Sequence, residues 1–240
     1  MFPPGGVLTQ EVNSVLSLLD GLVSWWAMEE TGAATRVDSA GGHNATAYST
    51  PGTRTGIKGN ACDFNGSTQY LQAAHHTDLR AGARDFSFAL WVELDTLAVQ
   101  TFVCKANTGT PSSTTWEWQI GLDDSPNQFR FILGVGSAWP ECMASTFGTP
   151  SIGTKYCIYA EYKHSTTTMG ISINNGTLNT LSSGGTPNTT TQPVTFGVFP
   201  GIGQWANGGL DEFAFWSRLL TTAERTEYYN SGSGVTYTEL

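Results

Sequence analysis

The sequence predicts an all-β chain folded as two antiparallel sheets packed face to face, and three observations predict it. Apolar residues recur with period two: Phe86, Phe88, Leu90 and Val92 alternate with Ser87, Ala89 and Trp91, which gives an extended chain two distinct faces. Runs of this kind are short and are broken by clusters of Gly, Asn and Pro, with 28 glycines among 240 residues, as repeated tight turns require. Charged residues are only 13% of the chain while Ser, Thr and Asn recur throughout, a composition that suits strands joined by uncharged polar turns. A chain of this length can bury one large core, and sandwiches of this size form single domains.

Taken in order, each element has a local cause. Val12, Val15, Leu16 and Leu19 fall at i, i+3, i+4 and i+7 spacing, which predicts a short helical arm over residues 1–20. Such an arm packs either on its own sandwich or on another subunit. Residues 21–240 then form the sandwich domain. Strand periodicity recurs over 116–120, 129–133, 156–162, 170–173 and 210–216. Asn174, Asn175 and Gly176 are a hairpin signal, since Asn and Gly tolerate the positive φ of a type I′ turn. Residues 182–191, rich in Ser, Gly and Thr, read as one long loop or a weak edge. Thr221 and Glu224 have the spacing of a capping box, and Gly232 follows as a stop signal, so a short helix closes the chain.

Eleven Lys and Arg against twenty Asp and Glu give a net charge of −9. That sign repels phosphate backbones and anionic membranes, which argues against nucleic-acid partners. No apolar run reaches membrane-spanning length, so membrane insertion is not expected. The opening residues lack the basic segment of a secretory signal, and synthesis in the cytoplasm is expected. Cys62, Cys104, Cys142 and Cys157 have no metal-site spacing and sit in or beside apolar segments, as reduced core thiols do.

Three ordered motifs carry a family resemblance. The first comprises Leu22-Val-Ser-Trp-Trp-Ala-Met-Glu-Glu-Thr-Gly32, Asp38-Ser-Ala-Gly41 and Gly56-Ile-Lys-Gly-Asn-Ala-Cys-Asp-Phe-Asn-Gly66. Asp85-Phe-Ser-Phe-Ala-Leu-Trp-Val92 stands between the ends, and Gly209-Leu-Asp-Glu-Phe-Ala-Phe-Trp-Ser-Arg-Leu-Leu-Thr-Thr-Ala-Glu224 closes the set. In order and separation they resemble the laminin-G-like, concanavalin A-like domains of bacterial and phage proteins. The resemblance implies a jelly-roll sandwich over about residues 21–234. It also implies a calcium site with carboxylates from Asp38 and Asp211 and carbonyl oxygens from Asn65 and Gly66, since calcium takes six to eight oxygens. The alternative is that Asp38 caps a turn and Asp211 accepts backbone amides.

This fold hosts lectins, adhesion modules, glycanases and spacers, so function must be read from side chains. A glycan site needs an aromatic platform with planar polar groups. Trp116 and Trp118 share a strand face by strict alternation, and Trp139 and Trp205 lie near turn-forming Pro and Gly; these four are the candidate ligand contacts, or else core filling. No Glu-x-Asp-x-Glu string of the glycanase type occurs. Glu117 faces away from the two tryptophans by the same alternation, and Asp211 and Glu212, being adjacent, point to opposite faces. His75 and His76 fit a solvated turn and show no zinc spacing. The expectation is a non-catalytic surface module, a phage virion or bacterial surface accessory protein that contacts glycans; the alternatives are a soluble carbohydrate-binding lectin-like module and, less favoured, a glycoside hydrolase. Residues 1–20 would attach it to a capsid, tail or other scaffold, and oligomers fit that role.

Overall fold

The computed structural model of the protein describes residues 17–106 and 115–240. In chain order the strands begin with β1 (Leu22–Trp26), β2 (Ala45–Tyr48), β3 (Gly52–Thr55), β4 (Asn60–Asn65), β5 (Tyr70–Ala73) and β6 (Phe86–Leu94). They continue with β7 (Gln100–Ala106), β8 (Trp116–Asp123), β9 (Gln128–Leu133), β10 (Glu141–Met143) and β11 (Lys155–Lys163). The last are β12 (Thr168–Ile173), β13 (Asn179–Ser182), β14 (Val194–Phe196), β15 (Val198–Phe199), β16 (Gln204–Trp205) and β17 (Asn207–Trp216), followed by helix α1 (Thr222–Tyr229).

Among the described residues these strands make two large antiparallel sheets and one small hairpin. An eight-stranded sheet runs β13-β12-β11-β6-β17-β4-β3, with β1 also pairing on β17. A seven-stranded sheet runs β10-β9-β8-β7-β14-β5-β2, and β15 with β16 forms the hairpin. Alternation decides which side chains meet between the layers. Phe86, Phe88, Leu90 and Val92 from β6 share one core with Trp118, Ile120 and Leu122 from β8 and Phe129 and Phe131 from β9. The outward residues of β6 are buried as well: Ala89 and Trp91 lie with Trp25, Trp216 and Tyr228 in a second cluster. Helix α1, Leu18 and the C-terminal residues Val235, Tyr237 and Leu240 pack on that side of the larger sheet.

Local signals and structure agree at the turns. Asn174 and Asn175 have φ of 52° and 55°, the two positive values of a type I′ turn. At α1 the Glu224 amide donates to Thr221 Oγ1 at 3.2 Å, and the Thr221 amide donates to Glu224 Oε2 at 2.7 Å. Both otherwise unpaired amides of the helix start are thereby satisfied. Residues 183–193 form a loop.

Two expectations are corrected. Residues 17–20 are not a helical arm but a turn belonging to the sandwich. Leu18 is buried in the second cluster, its carbonyl accepts from Trp216 Nε1 at 2.7 Å, and Arg218 donates to the carbonyls of Ser17 and Asp20. The rest of the predicted arm lies outside the described residues. Strict alternation also fails where the register shifts in the β7–β8 pairing and at a bulge in β17. An extra residue in one strand shifts the side chains beyond it to the other face.

Candidate functional site

The outward face of the seven-stranded sheet carries the aromatic site. In β5, Leu71 and Ala73 fill the core, so alternation sends Tyr70 and Gln72 outward. The register sets Tyr48 of β2 directly opposite Tyr70. Their rings stack with centroids 4.5 Å apart and planes 2° from parallel. Trp205 of β16 stands at 60° to Tyr70, with centroids 6.3 Å apart. Tyr70, Gln72, Phe199, Pro200 and Trp205 line an open cleft of about 410 Å³.

The hairpin that forms one wall of this cleft is anchored at two points. Phe199 is fully buried among Cys104, Ala106, Trp116 and Ile132. Gln204 Oε1 accepts from Gln119 Nε2 at 3.0 Å, Thr101 Oγ1 at 3.2 Å and an Arg130 guanidinium nitrogen at 3.4 Å. Its turn contains Gly201 and Gly203 with φ of 79° and 71°, a conformation that a Cβ would strain. The wall is therefore built and not adventitious.

The four predicted tryptophans part company. Trp205 lines the cleft. Trp139 is 50% exposed and lies parallel to Trp116, 6.5 Å away and tilted by 7°. Trp116 is itself buried between that ring and Phe199. Trp118 belongs to the inter-sheet core, 4.4 Å from the Phe88 ring. Trp116 and Trp118 thus do not share a face: the register passes from Lys105↔Trp118 to Ala106↔Trp116, and the bulge at Glu117 reverses the alternation. Tyr48 and Tyr70 were not singled out by sequence, because their value lies in a cross-strand pairing that no local pattern announces.

Glu117 is fully buried, 3.3 Å from Lys105 Nζ. It accepts the amides of Ala81 and Thr190, so it ties a loop to the sheet. Asp211 and Glu212 do not point to opposite faces. Leu210 and Phe213 fill the inter-sheet core, and the bulge turns both acids outward, with Glu212 at φ 47°. Burial pushes Asp211 up to about 7. Burial, reinforced by the charge of Asp211, pushes Glu212 up to about 9. Trp25 Nε1 donates to Glu212, while Ile57 and Lys58 donate their amides to Asp211. The two acids open on separate hollows, Asp211 beside Gly56 and Trp91 and Glu212 beside Glu30 and Tyr237, so they do not flank one bond.

The four positions implied for calcium are not brought together. Trp26, which carries Asp38 as its bridge partner, pairs with Phe213, whereas Asn65 pairs with Asn207. Six residues of extended strand separate those points, about 20 Å. Asp38 and the Asn65 side chain are also occupied. Asp38 accepts four backbone amides, from Trp25, Ala40, Gly41 and His43. Asn65 Oδ1 accepts the amides of Ser67, Thr68 and Gln69. This set does not fit the ion; the turn-capping alternative describes Asp38.

Comparison with known proteins matches this architecture. A family model described as the concanavalin A-like lectin/glucanases superfamily matches residues 65–224. No curated protein matches the chain. Domain 4 of AbnA, a GH43 extracellular arabinanase from Geobacillus stearothermophilus solved in complex with arabinotriose, superposes with a TM-score of 0.66 at 18% identity, covering 86% of this chain and 97% of that one. The binding domain of Paraclostridial Mosquitocidal Protein 1 gives 0.71 at 14% identity, covering 90% and 53%. The binding domain of botulinum neurotoxin DC, solved in complex with SialylT, gives 0.63 at 15%, covering 89% and 52%. This chain spans about half the length of those toxin domains, and at such identities the likeness is one of fold. With the match covering most of its length, the chain belongs to the concanavalin A-like lectin/glucanase superfamily.

Proposed function

We propose that the protein is a non-catalytic carbohydrate-binding module whose ligand lies between Tyr70 and the β15–β16 hairpin. One observation carries this: an anchored cleft of about 410 Å³ with aromatic walls and the Gln72 amide at its edge. Sugar rings present apolar C–H faces that pack on aromatic rings, while their hydroxyls need planar donors and acceptors such as a side-chain amide. Trp205 and the stacked Tyr48–Tyr70 pair supply the first requirement, and Gln72 supplies the second. No acid is among the described residues lining this cleft, and cleavage of a glycosidic bond needs two. The structures solved with arabinotriose and with SialylT are neighbours in fold, which adds weight to a glycan and leaves the sugar to be identified.

A glycan array probed with the wild-type chain, Tyr70→Ala and Trp205→Ala tests the reading. Wild type should give signals that each substitution weakens at least tenfold, about 1.4 kcal/mol. A blank array, or signals that survive both substitutions, would refute it.

We further infer that the module is displayed on a phage virion or bacterial surface and held there by the chain before Ser17. The amphipathic spacing of Val12, Val15 and Leu16 favours this, and the burial of Leu18 within the sandwich limits the attaching segment to earlier residues. Deleting residues 1–16 should abolish incorporation into particles while leaving the melting temperature unchanged; full incorporation of the truncated chain would count against attachment there. Repeated copies would turn a weak glycan contact into avidity.

A further inference from the structure

The β2–β5 ladder has a second end. Tyr48 and Tyr70 pair at one end, and Ala45 pairs with Ala73 at the other. His43 lies just before this second end and His76 just after it. Between them they bring together residues that sequence spacing had kept apart. His43, His76 and Asp78 each offer a ligand atom, all within 4.8 Å of one another. The two imidazole rings lie 4.7 Å apart, centroid to centroid. A single helical turn at Thr77–Leu79 folds the Asp78 carboxylate back to 3.2 Å from His76 Nδ1.

One of these groups is held by buried structure. His43 Nδ1 sits 3.0 Å from Asp38 Oδ2 and 2.9 Å from Ser24 Oγ. The Asp38 side chain is fully buried, and the backbone amides it accepts fix its position. A carboxylate on Nδ1 sets the ring orientation and leaves Nε2 as the nitrogen with a free lone pair, which is how metal-binding histidines are supported. Behind the ring, Gly41 leaves no room for a side chain: a Cβ there would lie 2.5 Å from His43 Nδ1 and 2.2 Å from the Val23 carbonyl oxygen. Gly41, His43, Asp78 and Arg84 line an open hollow of about 390 Å³.

We propose that His43, His76 and Asp78 form a binding site for a divalent transition-metal ion, zinc in particular, with Asp38 as the positioning residue for His43. Two imidazoles and one carboxylate are a donor set suited to zinc, whereas calcium takes six to eight oxygens. Three protein ligands leave one tetrahedral position open to the hollow, for water or an incoming ligand. Ligands around zinc stand roughly 3.3 Å apart, given bonds of about 2.0–2.1 Å. His76 and Asp78, with side chains 52% and 60% exposed, are free to close that gap. Arg84 donates to the Asp78 carbonyl at 2.7 Å; its charge opposes a cation, so the site is weaker than a closed four-ligand one. The site stands apart from the aromatic cleft and does not rest on the glycan reading.

Calorimetric titration of the full, tag-free chain with zinc chloride tests this, read beside the NMR resonances of the histidine rings. Wild type should take up one zinc per chain and shift the His43 and His76 rings while leaving His164 unchanged. His76→Ala and Asp78→Asn should each weaken binding at least tenfold, and the double variant should abolish it. Both side chains are exposed, so metal-free melting temperatures should match wild type and loss of binding cannot be put down to unfolding. A wild-type chain that takes up no zinc at about 1 mM, shifts confined to other histidines, or a double variant that binds as wild type does would overturn the assignment.

Discussion

At the scale of single residues, the strongest departures among the carboxylates are at Asp211 and Glu212. Burial, with the charge of Asp211, holds Glu212 protonated up to about 9, and burial holds Asp211 protonated up to about 7, whereas both ionise near 4 in an unfolded chain. Between those values the folded state binds more protons than the unfolded state, so stability must fall as pH rises. The melting temperature should therefore decline from about pH 5 to pH 9. Glu212→Gln, which keeps an oxygen for Trp25 Nε1, should flatten that slope and make the variant the more stable chain at pH 8. A slope identical in the variant would remove Glu212 as its source. The cysteines behave oppositely to a reactive site. All four are free and buried, and burial pushes Cys62 and Cys142 up to about 11. Thiol reagents should label the chain only after unfolding.

At the scale of elements, the β15–β16 hairpin links stability to binding. Phe199 pins it to the sheet, so Phe199→Ala should cost about 3–5 kcal/mol by the lost burial and the cavity left behind. If the chain remains folded, glycan affinity should fall as well, since the wall carrying Trp205 loosens. Urea unfolding and the array measure the two effects separately. At the other pole of the molecule, Thr221→Ala should cost about 1 kcal/mol through loss of the helix cap. What sequence revealed at this scale follows from range. The strands β6, β9 and β11 were legible because alternation is local, and α1 because a capping box spans four residues. The faces of Trp116 and Glu212 were not, because each depends on a bulge defined against a partner strand. Tyr48 with Tyr70, and His43 with His76, were hidden for the same reason: each pair is made by the register of β2 on β5.

At the scale of the whole molecule, the fold was legible from motifs at both ends, which meet because β1 pairs with β17. The ligand site was legible only in kind: aromatic platforms on a sandwich were anticipated, but of the four tryptophans named only Trp205 lines the cleft. The implied calcium site fails on geometry, since extended strand keeps Asn65 far from Asp38. Adding millimolar calcium to the metal-free chain should leave its melting temperature unchanged, and a rise of several degrees would contradict that placement. The molecule then divides its labour between two surfaces. Helix α1, Leu18 and the C-terminal residues cover the larger sheet, while the outer face of the smaller sheet offers the aromatic cleft to solvent.

The most direct measurement is an indole-resolved NMR titration with a glycan that the array identifies. The Trp205 Nε1–H resonance should shift on binding, while those of Trp25 and Trp118, sealed in the interior, should stay in place. Saturable binding that leaves Trp205 unmoved would contradict a ligand in the cleft.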